Sequence, residues 1–118
     1  MQFSYKSLKP LKERKEEYQK VIDQNPEKVA IIVEKDPRSD IADIEKKKFL
    51  IKEDMNLTQF QKIIRNRLKM DEKEALFFLA NGKTSLAGNF TIREIYDKYK
   101  DEDGFLYIAY SSQEVWGY

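Results

Sequence analysis

The sequence predicts a single α+β domain, and three observations carry that reading. Its 118 residues, 41% hydrophobic and 36% charged, suffice for one ordinary core and are too few for two domains. Short apolar runs bounded by charge are mixed with segments of helical periodicity, without regular alternation of the two. Two helical segments open with capping-box patterns, Asn56 with Gln59 and Thr91 with Glu94.

Pro10 opens the first helix, because its fixed φ and missing N–H suit a first turn. Leu11, Tyr18, Val21 and Ile22 then share one face, and Asn25-Pro26 ends it. Val29 to Val33 is a β-branched run flanked by charge, the pattern of a central strand buried on both faces. A loop through residues 36–40 leads to Lys48–Lys52, a second strand whose charged ends suit a sheet edge. Asn56 caps a helix that places Leu57, Phe60, Ile63, Ile64 and Leu68 on one face. Ala75 to Ala80 is another buried strand, and Asn81-Gly82 after it suits a tight turn. Thr91 caps a short helix carrying Ile92, Ile95, Tyr96 and Tyr99, and Asp103-Gly104 turns the chain into a last strand, Phe105 to Tyr110. The expected organisation is a helical extension over 1–27, a core over 28–110 with a four-stranded mixed sheet and packed helices, and a flexible tail over 111–118. Without its first helix, the element order is that of the β-grasp.

Composition narrows function. Twenty-two basic residues against 21 acidic ones leave a net charge of +1, so no overall field calls for nucleic acid. The absence of cysteine excludes disulfides, thiolate metal sites and a cysteine nucleophile, and the absence of histidine removes the commonest general base. No catalysis, metal or cofactor is expected. Residues 75–80, the longest apolar run, are far short of a membrane span, and residues 1–10 lack the apolar core of a signal peptide, so a cytoplasmic protein is expected.

Several segments resemble the autophagy-related ubiquitin-like modifiers, the family of autophagy-related protein 8 and GABARAP. They are Leu11-Lys12-Glu13-Arg14-Lys15, residues 28–35 ending in Val33-Glu34-Lys35, Asp40-Ile41-Ala42-Asp43-Ile44 with residues 46–50, and Phe60 with Ile64-Arg65-Asn66-Arg67. The most specific is Ile95-Tyr96 followed by Lys100-Asp101-Glu102-Asp103-Gly104-Phe105-Leu106-Tyr107. The resemblance implies a ubiquitin-like β-grasp behind an N-terminal helical subdomain. It also implies cleavage by a cysteine protease at the Gly117–Tyr118 bond, then passage through activating and conjugating enzymes to phosphatidylethanolamine at Gly117. The product would sit on autophagosomal and vacuolar or lysosomal membranes. Glycine suits such chemistry, since a narrow site can close on a backbone without a Cβ. Where the family usually has phenylalanine before that glycine, this sequence has Trp116.

The resemblance further implies that cargo receptors and adaptors bind through aromatic-x-x-aliphatic motifs added as a strand beside Lys48–Lys52, which physically is β-augmentation. Carried over residue by residue, the aromatic pocket is Glu17, Val21, Ala30, Ile32, Lys48, Leu50 and Phe105. The aliphatic pocket is Phe49, Ile51, Phe60, Ile63, Ile64 and Arg67. Strand alternation supports the split, because Lys48 and Leu50 point to one side and Phe49 and Ile51 to the other. Plain core remains an equal reading of Ile32, Phe60, Ile63 and Ile64. Lys46 and Lys47 with Lys28 form an expected basic rim for acidic residues beside the motif, interrupted by Glu34, Glu45 and Glu53. The alternative function is an unconjugated cytosolic adaptor that binds peptides, or the cytoskeleton through a basic N-terminal helix carrying Lys6, Lys9, Lys12, Arg14 and Lys15. Asp101, Glu102 and Asp103 read as a solvated turn rather than a catalytic cluster.

Overall fold

Alternating side chains give the central strands two apolar faces, and each face is covered by its own pair of helices. The structure is a computed structural model that describes residues 1–113. Its elements are α1 (Ser4–Leu8), α2 (Leu11–Gln24), β1 (Lys28–Lys35), β2 (Lys48–Lys52), α3 (Leu57–Leu68), β3 (Phe77–Ala80), β4 (Thr84–Leu86), α4 (Ile92–Tyr99) and β5 (Leu106–Ser111). The strands lie in the order β2-β1-β5-β3-β4, with β1 and β5 parallel and every other pair antiparallel. This is the β-grasp arrangement, with β1 inside and β2 at an edge as the sequence predicts.

The sheet has five strands rather than four. β4 is only three residues long and is hairpinned to β3 through Asn81 and Gly82, both at positive φ. The last strand runs to Ser111, fully buried, one residue beyond the expected Tyr110. An additional five-residue helix, α1, precedes Pro10. Nothing in its own sequence caps it; the buried Glu34 carboxylate on β1 instead accepts from the Ser4 and Tyr5 backbone N–H groups at 2.8 and 3.0 Å. Both predicted capping boxes are formed, at α3 and at α4.

On one face Val29, Ile31 and Val33 of β1 and Leu106, Ile108 and Tyr110 of β5 meet Leu57, Phe60 and Ile64 of α3 and Ile92 and Ile95 of α4. On the other, Ala30, Ile32, Phe105, Tyr107 and Ala109 meet Phe3, with Tyr5, Tyr18 and Val21 packed against them. The α1–α2 pair is therefore part of the hydrophobic structure rather than a loose appendage.

Candidate functional site

The β1–β2 register sets the geometry of the edge. Ala30 faces Leu50 and Ile32 faces Lys48 on the α2 side, while Val29 faces Ile51 and Ile31 faces Phe49 on the α3 side. β2 alternates exposed and buried residues, with Lys48, Leu50 and Lys52 outward and Phe49 and Ile51 inward. Its outer backbone edge has no neighbouring strand among the described residues. The predicted aromatic-pocket residues thus lie on one face of the sheet and the predicted aliphatic-pocket residues on the other, either side of one open edge.

On the α2 side, Ala30, Ile32 and Phe105 form a buried floor, Val21 is half-buried, and Leu50 at 38% exposure stands at the rim. Glu17 lies one helical turn before Val21 and bridges to Lys48 at 3.1 Å, so the gap between α2 and β2 is spanned by an ion pair. Lys9 also donates to Glu17 at 2.6 Å, and the Tyr5 hydroxyl donates to the same carboxylate. Burial alone would raise the Glu17 pKa, but the donors from Lys9, Tyr5 and Lys48 outweigh it and hold the carboxyl at about 2. Burial, followed by the bond to Glu17, pushes the Tyr5 phenol well above its ordinary value.

The α3 side is more closed. Phe60 and Ile64 have no exposed surface, and Phe49 and Ile51 are nearly as buried, so these four act as core in this conformation. Ile63 is half-buried and Arg67 exposed, and Arg67 and Lys46 both lie over the Phe49 ring, at 6.0 and 5.1 Å from its centroid. The basic rim is not one cluster, because Lys28 faces Lys52 at the far end of β2 from residues 46–48. Lys28 and Lys48 instead lie at opposite ends of the β1–β2 pairing. Of the acids expected to interrupt the rim, Glu34 is buried beneath α1 and Glu53 is paired with Arg93 at 2.7 Å, which leaves Glu45 exposed on that surface.

A family model described as "Autophagy protein Atg8 ubiquitin like" matches residues 13–117. The chain belongs to the Atg8 family. The crystal structure of Trypanosoma brucei ATG8 is similar to this Atg8-family chain at a TM-score of 0.90 and 36% identity, over 99% of this chain and 100% of that one. The ubiquitin-like fold and the N-terminal helices are shared with that structure.

Two charged groups of this Atg8-family chain are placed differently from the sequence reading. Asp103 is not solvated: it is 1% exposed, accepts from the Phe105 N–H at 2.8 Å and from the Tyr107 hydroxyl, and pairs with Arg14 at 2.9 Å. Burial pushes its carboxyl above the usual value against those donors. Arg14 is itself buried, Lys6 is bound to Asp101 and Lys9 to Glu17. Of the five cations expected on a basic N-terminal helix, Lys6 and Lys9 lie before α2, and Lys12 and Lys15 stay exposed without a salt-bridge partner among the described residues, as does Lys20 farther along α2. A pocket of about 260 Å³ between β4 and α4, bordered by Leu86, Phe90, Ile95 and Tyr99, was not foreseen from sequence; its one signal there is the isolated Phe90, 52% exposed. Trp116, Gly117 and Tyr118 lie outside the described residues.

Proposed function

We propose that this Atg8-family protein is a modifier that is cut after Gly117, joined through that glycine to phosphatidylethanolamine, and used on autophagosomal membranes to recruit receptors bearing aromatic-x-x-aliphatic motifs. The observation that carries the reading is a family match that spans residues 13–117 and so includes Gly117. The open β2 edge, with an apolar face on either side of it, supports the recruiting half, since an added strand needs free backbone groups and side-chain pockets on alternate sides. With no cysteine or histidine, the chain enters conjugation as the group acted upon, while protease, activating and conjugating enzymes supply the nucleophiles. No helix among the described residues is long and apolar enough to cross a membrane, so stable membrane residence rests on the attached lipid.

The test is Gly117→Ala, expressed in cells and followed by flotation of membranes. The expected result is loss of the membrane-bound fraction with the soluble fraction retained. Unchanged flotation would remove the conjugation half of the proposal and favour the unconjugated adaptor.

A further inference from the structure

The chain that leaves β5 is tied down by the loop that follows β1. The Asp36 N–H donates to the Tyr110 carbonyl at 2.9 Å, which extends the β1–β5 pairing by one bond. Two residues after Tyr110, side chains take over from the ladder. The Ser112 N–H donates to Ser39 Oγ at 3.1 Å, the two hydroxyl oxygens are 3.0 Å apart, and Gln113 Nε2 donates to the Arg38 carbonyl at 3.3 Å. Ser39 is 2% exposed, and its Oγ also accepts from the Ile41 N–H at 3.4 Å. A hydroxyl accepts two bonds and donates one, so the two N–H groups fill its acceptor side and its own proton goes to Ser112 Oγ. The loop holds its shape by other means. Arg38 donates to the buried Asp36 carboxylate from its backbone N, Nε and Nη2 at 2.9, 3.0 and 2.8 Å, and the Ser39 N–H donates to the Asp36 carbonyl at 3.0 Å. The Ser39 hydroxyl is therefore turned chiefly to the base of the tail.

We propose that Ser39 is a positioning residue for the cleavage and conjugation of Gly117: it anchors the base of the tail on the 36–40 loop, so that the glycine reaches its enzymes from the β1 side of β5. The inference rests on the conjugation reading above and concerns how that same glycine is delivered. Gly117 is four residues beyond Gln113, and an extended chain gains at most about 3.5 Å per residue, so the glycine lies within roughly 14 Å of the anchor. Beside that anchor Pro37, Arg38 and Asp40 are exposed, and an enzyme that closes on Gly117 must approach this end of the sheet. Without the Ser39 hydroxyl, Ser112 and Gln113 join the residues that binding has to order. Each residue so freed adds backbone entropy that capture must remove. The anchor reaches no nearer to the reacting carbonyl than Gln113, so the chemical step itself is left alone. A Ser39 that merely completed the 36–40 loop would leave capture of Gly117 unchanged when its hydroxyl is removed.

The test uses the full chain as wild type, Ser39→Ala and Gln113→Ala, cut by the processing cysteine protease purified from the same cells, with release of Tyr118 followed by mass spectrometry. Ser39→Ala is expected to raise KM roughly three- to tenfold and Gln113→Ala by less, each with kcat within about twofold of wild type. An unchanged KM in Ser39→Ala, or a loss confined to kcat, overturns the proposal. An enzyme-free arm measures amide hydrogen exchange. The Ser112 N–H is expected to be protected in the wild type and to lose that protection in Ser39→Ala, while the Asp36 N–H, bound to the Tyr110 carbonyl, stays protected in both. Gln113 is exposed, so its variant keeps the fold, and if Ser39→Ala does not fold, an unchanged KM in Gln113→Ala overturns the proposal. A Ser112 amide that exchanges freely in the wild type shows that no anchor exists; if Tyr118 is nevertheless removed, this inference fails and the conjugation reading stands. If the anchor is present and the wild type is not cut after Gly117, both fail.

Discussion

Glu17 and Arg14, one helical turn apart on α2, show how much a single side chain can commit. The Glu17 carboxyl is held at about 2 against an ordinary 4.5, so the folded state binds this proton less readily than the unfolded chain. The stability it contributes is therefore complete above pH 4.5 and disappears as pH falls toward 2. Urea unfolding at pH 6 and pH 3 is expected to show a smaller loss for Glu17→Gln than for wild type; equal losses would contradict the hydrogen-bond assignment. Arg14→Ala leaves Asp103 buried without its cation and is expected to cost about 3 kcal/mol in the same assay at neutral pH. Neither role was legible in the sequence. Asp101-Glu102-Asp103 looks like any charged turn, and only the fold brings Arg14 to it across a separation of 89 residues. Glu17 could be assigned to a pocket by resemblance, but its donors Tyr5, Lys9 and Lys48 come from segments whose approach no local pattern records.

The elements were legible in proportion to their length and their caps. β1 and β2 announced themselves by burial pattern, and α3 and α4 by capping boxes that the structure forms as read. α1 and β4 were not, because five and three residues are too few to establish a period, and α1 takes its cap from Glu34, 30 residues away in sequence. The turn into β5 depends on Gly104 at φ 101, where an added Cβ would also lie 2.3 Å from the Tyr18 ring. Gly104→Ala is expected to destabilise by roughly 2–4 kcal/mol, combining backbone strain with overpacking, and chemical denaturation reads it directly. β2 gives the contrasting case. Leu50 is exposed at 38%, so Leu50→Ala is expected to change stability by less than about 1 kcal/mol yet weaken a motif peptide by roughly 1–2 kcal/mol. Undiminished peptide affinity in that variant would move the binding site away from this edge.

At the scale of the whole molecule, the two faces of one sheet divide the work. The α3–α4 face holds the larger core cluster, while the α1–α2 face packs Ala30, Ile32 and Phe105 against Tyr5, Tyr18 and Val21 and leaves Leu50 exposed on β2 beside them. Periodicity and alternation alone reached the α+β class and the edge position of β2. Family membership and the sense of Gly117 needed long segments taken together, because a lone glycine beside aromatic residues carries no physical instruction. The turning of Lys48 and Leu50 to one side of β2 and of Phe49 and Ile51 to the other was legible from alternation once β2 was recognised; that Phe60 and Ile64 would be completely covered was not, since apolar residues at helical spacing serve cores and grooves alike. The central claim is that Gly117 is the atom-level junction between this fold and a membrane. Intact-mass measurement of the membrane-bound form purified from cells tests it most directly: the account predicts a chain lacking Tyr118 with one phosphatidylethanolamine on Gly117, and a membrane-bound chain that retains Tyr118 and carries no lipid would contradict it.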